Sequence, residues 1–415
     1  MKMEQERYEL PDEWEWKQIG ELFEVTSSKR VHQKDWKSEG IPFYRTRELV
    51  ELSKNGHVDN TLFISNEMFN EFKNKYGIPS ENDLLVSGVG TIGIPYIVPK
   101  NNQFYFKDGN IIWFKNKKNT NAKFIYFLYH SPFVIRQINA FPVGTTVKTY
   151  TIVNAKNTWI PLPPLPEQRR IADKLDAVLG RIDDAIRLSQ DNLASLDDLF
   201  ASMLQQAFNP LGKTSKETRY ELPDGWEWKK LSVIAPPSRQ TLLPVSDQQY
   251  NYIGLEHIVP NSAKLTDFSP VDGQTIASTK NIFSRNMVLF GKLRPYLRKV
   301  HVAQFDGIAS TEIIPFQCTA DILPEYLAHF MRSDFFINLA VDNCSGSRMP
   351  RVTTRFLQTL AFIPLPPLPE QRRIADKLDA LSGKIALQKR AIEEKLDELN
   401  HLKSSVLDAA FRGRL

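Results

Sequence analysis

The stretch IPLPPLPEQRRIADKLDA occupies Ile160–Ala177, and the same eighteen letters return at Ile363–Ala380. A proline run that ends in a charged amphipathic segment, kept letter for letter in both halves of a 415-residue chain, marks an internal duplication. Working outward, a second pair appears: YELPDEWEWK at Tyr8–Lys17 and YELPDGWEWK at Tyr220–Lys229. Each opener is followed by a divergent body, then the proline run, then the amphipathic segment. The offset is 203 at the proline run and still 203 where Gln206–Phe208 meets Ala409–Phe411, so the amphipathic segments match without insertion. The bodies differ in length, and only traces of likeness survive, as in NAKFIYFLYHSPFVIRQINA against LPEYLAHFMRSDFFINLA.

Behind each proline run, apolar residues recur at steps of three and four. The first copy has Ile171, Leu175, Val178, Ile182, Ile186, Leu193, Leu196, Phe200, Met203 and Ala207; the second runs from Ile374 and Leu378 to Val406 and Ala410. This spacing predicts one long helix per copy, about 60 Å at about 1.5 Å per residue. Such a stripe needs a partner in water, and the chain supplies one matching stripe. The two helices are expected to pair antiparallel, with the proline run as an extended, stiff strut and Pro166 in the first turn of the helix.

The bodies carry short β-like runs (NDLLVSGVG, IPYIV, NIIWF, NMVLF, LRKVHVA) and aromatic stretches (FIYFLYHSPFVIRQI, EYLAHFMRSDFFINLA) that read as helices of about three turns. The fold class that follows is α+β: two mixed α/β globules related by pseudo-two-fold symmetry and joined by two long antiparallel helices. Boundaries are placed at 1–163, 164–213, 214–366 and 367–415.

Composition is that of a globular protein, with 42% hydrophobic and 24% charged residues. The opening MKMEQERYELPDEWEW has no apolar core of the signal-peptide kind, so a cytoplasmic location is expected. Cys318 and Cys344 lack a CxxC spacing and read as plain thiols. Net charge is +5, and its excess lies in the bodies: 21 basic against 18 acidic residues in 1–160, and 16 against 14 in 214–363. That suits a nucleic-acid partner without demonstrating one.

Catalytic motifs were sought and set aside. GVGTIG at Gly88–Gly93 fits a dinucleotide fingerprint, but IPYIV behind it predicts a second strand where phosphate binding needs a helix N-terminus, so a glycine-rich hairpin is expected. Asp12, Glu15 and Lys17, with Asp224, Glu227 and Lys229, spell a PD…ExK nuclease too tightly for two carboxylates to converge on one metal ion. No metal-binding histidine spacing, phosphate loop, nucleophile elbow or amino-methyltransferase NPPY signature is present. Binding is favoured over catalysis.

Candidate DNA contacts lie in the divergent bodies. FYRTREL offers Arg45 and Arg47, read as one side of a strand, and VGTTVKTY offers Thr145, Thr146 and Lys148. In the second body GKLRPYLRK offers Lys292, Arg294, Arg298 and Lys299, and SGSRMPRVTTR offers Ser347, Arg348, Arg351 and Arg355. Arginine is the main bidentate reader of guanine, and Lys, Ser and Thr suit phosphates. The bodies differ in chemistry, with 16 Lys and 5 Arg in the first and 7 Lys and 9 Arg in the second, so they need not read the same sequence.

The order ELPDxWEW, body, PLPPLPEQ, long helix, run twice over essentially the whole chain, resembles the specificity subunit of Type I restriction-modification systems. The resemblance implies two target-recognition domains, each reading one half of a bipartite asymmetric site in double-stranded DNA, with the helices setting the spacer. It implies a non-catalytic subunit with no cofactor of its own. S-adenosylmethionine, ATP and Mg would sit on its partners, two methyltransferase (modification) subunits and motor-nuclease (restriction) subunits. The repeated helix starts, Glu167, Gln168, Arg169 and Glu370, Gln371, Arg372, are then expected to dock the symmetric partners. Two readings from other classes remain, a scaffold of duplicated modules that binds no DNA and a single-chain restriction or modification enzyme.

Overall fold

A computed structural model describes residues 7–100, 102–117, 120–141, 148–212, 219–266, 268–346 and 348–415. By compactness the chain forms two units, one of residues up to Ser189 together with Glu394–Leu415, the other of Gln190–Glu393. Both long helices are present, Leu165–Phe208 and Leu368–Phe411, each of 44 residues, and each contributes one segment to either unit.

In the first unit, a four-stranded antiparallel sheet runs in the order Phe23–Thr26, Ile111–Asn116, Leu84–Ser87, Pro95–Ile97. Its apolar face packs on the helices Ala122–Tyr129 and Pro132–Ala140 and on Ile171, Leu175, Leu179 and Ile182 of the first long helix, with Leu407, Ala410 and Phe411 of the second closing the same core. A small sheet beside it pairs Ile41–Tyr44 in parallel with Tyr105–Phe106.

The second unit repeats this plan. Val288–Gly291 lies between Val300–Val302 and Ile313–Phe316, and Tyr252–Ile253 pairs in parallel with Gly307–Ala309. Its core joins the helices Pro324–Arg332 and Asp334–Asp342 to Leu204 and Phe208 of the first long helix and Ile374 and Leu378 of the second. The strand expectations for DLLVS, IPYIV, IIWF, MVLF and KVHV all correspond to observed strands. Each aromatic stretch, expected as one helix, is instead two. Ser131 and Ser333 break them, because each hydroxyl accepts the N–H three residues on (Val134 and Phe336, both 3.3 Å) and so caps a new helix.

Antiparallel pairing of the long helices holds within each unit. In the first, Lys403 donates to Asp183 at 2.6 Å; in the second, Lys389 donates to Asp197 at 2.5 Å. The expected apolar stripe is buried or half-buried along its length, and Leu179, Leu204 and Phe208, which the spacing passed over, belong to it too.

The proline run does more than extend. Trp159–Leu162 pairs antiparallel with the opener strand Glu15–Gln18, and Phe362–Leu365 with Glu227–Lys230, so that Trp16 faces Pro161 and Trp228 faces Pro364. A two-stranded ribbon tolerates proline because the missing N–H can face outward. The expected extended, stiff strut is a strand anchored by the opener, and the helix begins directly behind it. Openers close the other end as well. Trp16 packs with Tyr8 and Phe133, Trp228 packs with Tyr220 and Phe335, and the Tyr8 and Tyr220 hydroxyls donate to the carbonyls of Phe411 and Phe208 in the last turn of a long helix.

Candidate nucleic-acid interface

In the first unit the sheet strand Leu84–Ser87 is followed by Gly88, whose N–H donates to the Asn110 carbonyl at 2.8 Å while its own carbonyl accepts from Tyr150 at 2.8 Å. The Thr46 hydroxyl reaches the same Asn110 carbonyl at 3.4 Å. Three segments distant in sequence (45–47, 88–93 and 148–150) thus meet around Gly88 and Asn110. In the second unit Lys292 N–H donates to the Glu312 carbonyl at 2.9 Å, and the Lys292 carbonyl accepts from Val352 at 2.9 Å. Bridges Val89 to Thr149 and Leu293 to Arg351 complete the correspondence. The same backbone frame is built twice and carries different side chains.

Of the residues expected to contact DNA in the first body, Arg45 and Arg47 do not share a strand. The strand ends at Tyr44, Arg45 caps the helix Thr46–Asn55, and Arg47 lies exposed in its first turn. Glu48 reaches back to the Arg45 N–H at 3.0 Å and pairs with its guanidinium at 2.7 Å. Burial pushes the Glu48 carboxyl up, but the ion pair and backbone N–H bonds outweigh it and hold the group below the ordinary carboxylate range. Arg45 thus braces the first turn of that helix. Lys148 is exposed and donates to Asn139 at 2.6 Å; Thr145 and Thr146 lie outside the described residues.

The two clusters of the second body, 55 or so positions apart, come together: Arg294 N–H donates to the Pro350 carbonyl at 2.8 Å, and Leu293 bridges Arg351. Lys292, Arg294, Arg348 and Arg351 thereby share one rim, with Arg348 and Arg294 exposed. Arg298 points elsewhere, donating to the Arg332 carbonyl and pairing with Asp334, and Lys299 donates to the Leu255 carbonyl at 2.5 Å. Arg355 is exposed just before the turn of helix Phe356–Leu360, and Ser347 lies outside the described residues.

Sequence reading missed Asn110 and Glu312. A signal existed: each directly precedes an Ile-Ile pair whose first member is fully buried, in NIIWF and EIIPF, so aligning the two bodies on that pair singles them out. GVGTIG is the expected hairpin, with Leu84 facing Ile97 across it. The tight Asp-Glu-Lys motifs sit in the opener strands, where Lys17 pairs with Glu15 and Lys229 with Glu227; among the described residues no cluster of metal-ligating side chains occurs.

The family model described as "Type I restriction modification DNA specificity domain" matches residues 11–190 and again 223–398. The chain belongs to this family. It is 23% identical over 431 aligned positions to the Escherichia coli type I restriction enzyme EcoDI specificity subunit, covering 98% of this chain and 89% of that protein. A putative specificity subunit of Haemophilus influenzae is 33% identical over 41% of this chain and 43% of its own length. Among solved structures, a chain from a study of type I R-M complex assembly and conformational transition matches with a TM-score of 0.73 at 22% identity, covering 99% of this chain and all of that one. The HsdS subunit from Thermoanaerobacter tengcongensis matches with a TM-score of 0.55 over the same coverage, also at 22% identity. Both share the fold.

Of the six residues expected to dock partners at the repeated helix starts, two are buried in the fold. Gln168 is buried: its amide NH2 donates to the Pro163 carbonyl at 2.8 Å and its oxygen accepts from Asn121 N–H at 3.0 Å. Gln371 repeats both bonds with Pro366 and Leu323, at 2.9 Å each, and adds one to the Asp321 carbonyl. These glutamines tie each helix start to its proline run and its body, because each amide can donate and accept at once. Arg169 and Arg372 remain exposed, while Glu167 and Glu370 pair with Arg170 and Arg373 on the next turn at 2.7 and 2.6 Å. Those ion pairs hold both carboxyls below the ordinary range. Among the described residues no helix is long and apolar enough to cross a membrane.

Proposed function

We propose that this chain is the DNA-reading subunit of a type I restriction-modification complex, with each unit reading one half of a bipartite, asymmetric site in double-stranded DNA. The observation that carries the reading is the duplicated rim: one backbone frame, Gly88–Asn110–Tyr150 and Lys292–Glu312–Val352, dressed with different side chains. Two related but chemically distinct surfaces suit two different half-sites. A scaffold binding two identical partners would need them alike. The verbatim helix starts carry the opposite property, and their exposed Arg169 and Arg372 suit two equivalent partner subunits.

In this reading the chemistry lies on the partners. Methyltransferase subunits bring S-adenosylmethionine, and motor-nuclease subunits bring ATP and Mg. The chain itself supplies recognition, joining two weak readers so that the second binds at high effective concentration.

The test is to express the chain with its methyltransferase in a host lacking modification and to map modified adenines by long-read sequencing. A single bipartite motif with a fixed gap is expected. Absence of any motif that depends on this chain, together with no salt-dependent duplex binding by the complex, would overturn the reading in favour of a scaffold.

A further inference from the structure

Asn110 and Glu312 occupy the same position in the two rims. Each gives its carbonyl to the residue just after a strand, Gly88 or Lys292, and each stands directly before a fully buried isoleucine, Ile111 or Ile313. Across from them stand a second equivalent pair, Thr149 and Arg351, fixed by the bridges to Val89 and Leu293. The frame holds these side chains on backbone that is hydrogen-bonded on both sides, which is the rigid support base readout requires.

Their chemistry differs. The Glu312 carboxylate receives the Arg351 Nε–H at 3.1 and 3.2 Å, one acceptor and one donor side by side, with Glu312 a quarter exposed and Arg351 43% exposed. Arg351 Nη1 makes a long bond to the Met349 carbonyl at 3.5 Å, and Nη2 has no partner among the described residues. The Asn110 side-chain amide makes no hydrogen bond among the described residues either, although the residue is half-buried. The amide is not among the buried unpartnered atoms, so it reaches solvent with its donor and acceptor open to a ligand.

On the basis of the DNA-reading function above, we propose that this shared position reads a base pair in each half-site: Asn110 an A·T pair and the Glu312–Arg351 couple a C·G pair. An asparagine amide matches the N6 donor and N7 acceptor of adenine in the major groove. A carboxylate accepts from cytosine N4, and the guanidinium beside it donates to guanine O6 and N7 of the same pair. The Glu–Arg couple therefore presents acceptor and donor in the order that a C·G edge presents donor and acceptors. Neighbouring exposed cations, Arg47 and Lys148 in one rim and Arg294 and Arg348 in the other, are placed for the adjoining phosphates.

The test uses the assembled methylating complex with three chains: wild type, Glu312→Gln and Asn110→Ala. The wild-type motif is expected to hold a required C·G pair in one half and a required A·T pair in the other. Glu312→Gln, which keeps the shape but turns a pure acceptor into a donor and acceptor, is expected to shift that one position from C·G towards A·T. Asn110→Ala is expected to relax one position of the other half by about ten- to a hundredfold. The half-site not targeted serves as a folding control, since a misfolded chain loses both. Changes confined to the same half for both variants, an unchanged motif, or a wild-type half without the required pair would each overturn the assignment. A wild-type complex that leaves no bipartite motif would instead overturn the DNA-reading function itself, and this assignment with it.

Discussion

The Gln371 side chain accepts the Leu323 N–H at 2.9 Å, 48 positions away, and Gln168 accepts the Asn121 N–H at 3.0 Å, 47 positions away. Each glutamine also donates to a carbonyl of its own proline run, so one amide fixes strand, helix and body at a single point. Replacing Gln371 by alanine leaves a helix-entry N–H and two carbonyls without their partner in a buried place. The expected cost is about 1–3 kcal/mol, read as a lower midpoint in urea with little change in slope. Gln168→Ala should cost slightly less, because it makes one bond fewer. Loss of methyltransferase co-purification at unchanged stability would instead return these residues to the docking surface.

His329 predicts a pH dependence. Its ring is buried, with Nδ1 2.7 Å from Arg332 Nη2 and Nε2 2.8 Å from Asp379 Oδ1. Arg332 can only donate, so Nδ1 accepts and the proton sits on Nε2, facing Asp379. Burial, with Arg332 adding to it against the pull of Asp379 and Glu325, holds the imidazole below its ordinary 6.5. The same burial lowers Arg332 to about 10. A histidine depressed in the folded state binds protons more readily unfolded, so its stabilisation is present above about pH 6.5 and is lost as pH falls below that. His130 and His301, also lowered by burial, act in the same direction. Melting temperature should therefore fall from pH 7.5 to pH 5.5. His329→Gln, whose amide can still accept from Arg332 and donate to Asp379, should lessen that fall; an identical fall would sink the idea.

Arg348 is exposed on the second rim and has no ion pair among the described residues, whereas Arg351 is held by Glu312. Arg348→Ala is expected to leave stability within about 0.5 kcal/mol of wild type. If Arg348 lies on a phosphate, the substitution weakens duplex binding across sequences and lowers the salt slope by about one unit. If it lies on a base, methylation mapping shows one relaxed position in a single half-site. Equal relaxation in both halves would contradict domain-wise reading.

How much of this was legible beforehand depends on whether a feature is periodic or convergent. The long helices, their apolar stripe and their pairing follow from a spacing repeated over ten turns, and the strand runs follow from short apolar stretches bounded by Gly and Asn. Two classes of feature escaped. Ser131 and Ser333 split their helices through single hydroxyl caps, a local competition that aromatic periodicity hides. The rims escaped because Thr46, Gly88, Asn110 and Tyr150 are brought together only by the sheet, and sequence proximity does not reveal that Arg45 and Arg298 pair with Glu48 and Asp334. The proline run is the expected extended joint, but its pairing with the opener was not read from the sequence. Its repetition reflects the strand pairing and glutamine bonds of each joint as much as any partner.

Helix length is expected to set the gap between half-sites. Lys403 meets Asp183 in one unit and Lys389 meets Asp197 in the other, fourteen positions apart on both helices. Each pair is surface-exposed and worth at most about 1 kcal/mol, so register rests on the apolar stripes. A four-residue insertion after Leu193 rotates the stripe behind it by about 40°, since each residue turns about 100°, and disturbs pairing on one helix alone. Seven residues inserted after Leu193 and seven more after Ile392 turn the stripes by only about 20° and lengthen both helices by about 10 Å, close to three base pairs. The matched variant is expected to fold, to keep both half-site sequences and to modify sites whose gap is longer by about three base pairs. The single insertion should lose at least 1 kcal/mol and much of its activity. Methylation mapping that returns the original gap from a folded, active matched variant would show that something other than helix length sets the spacer.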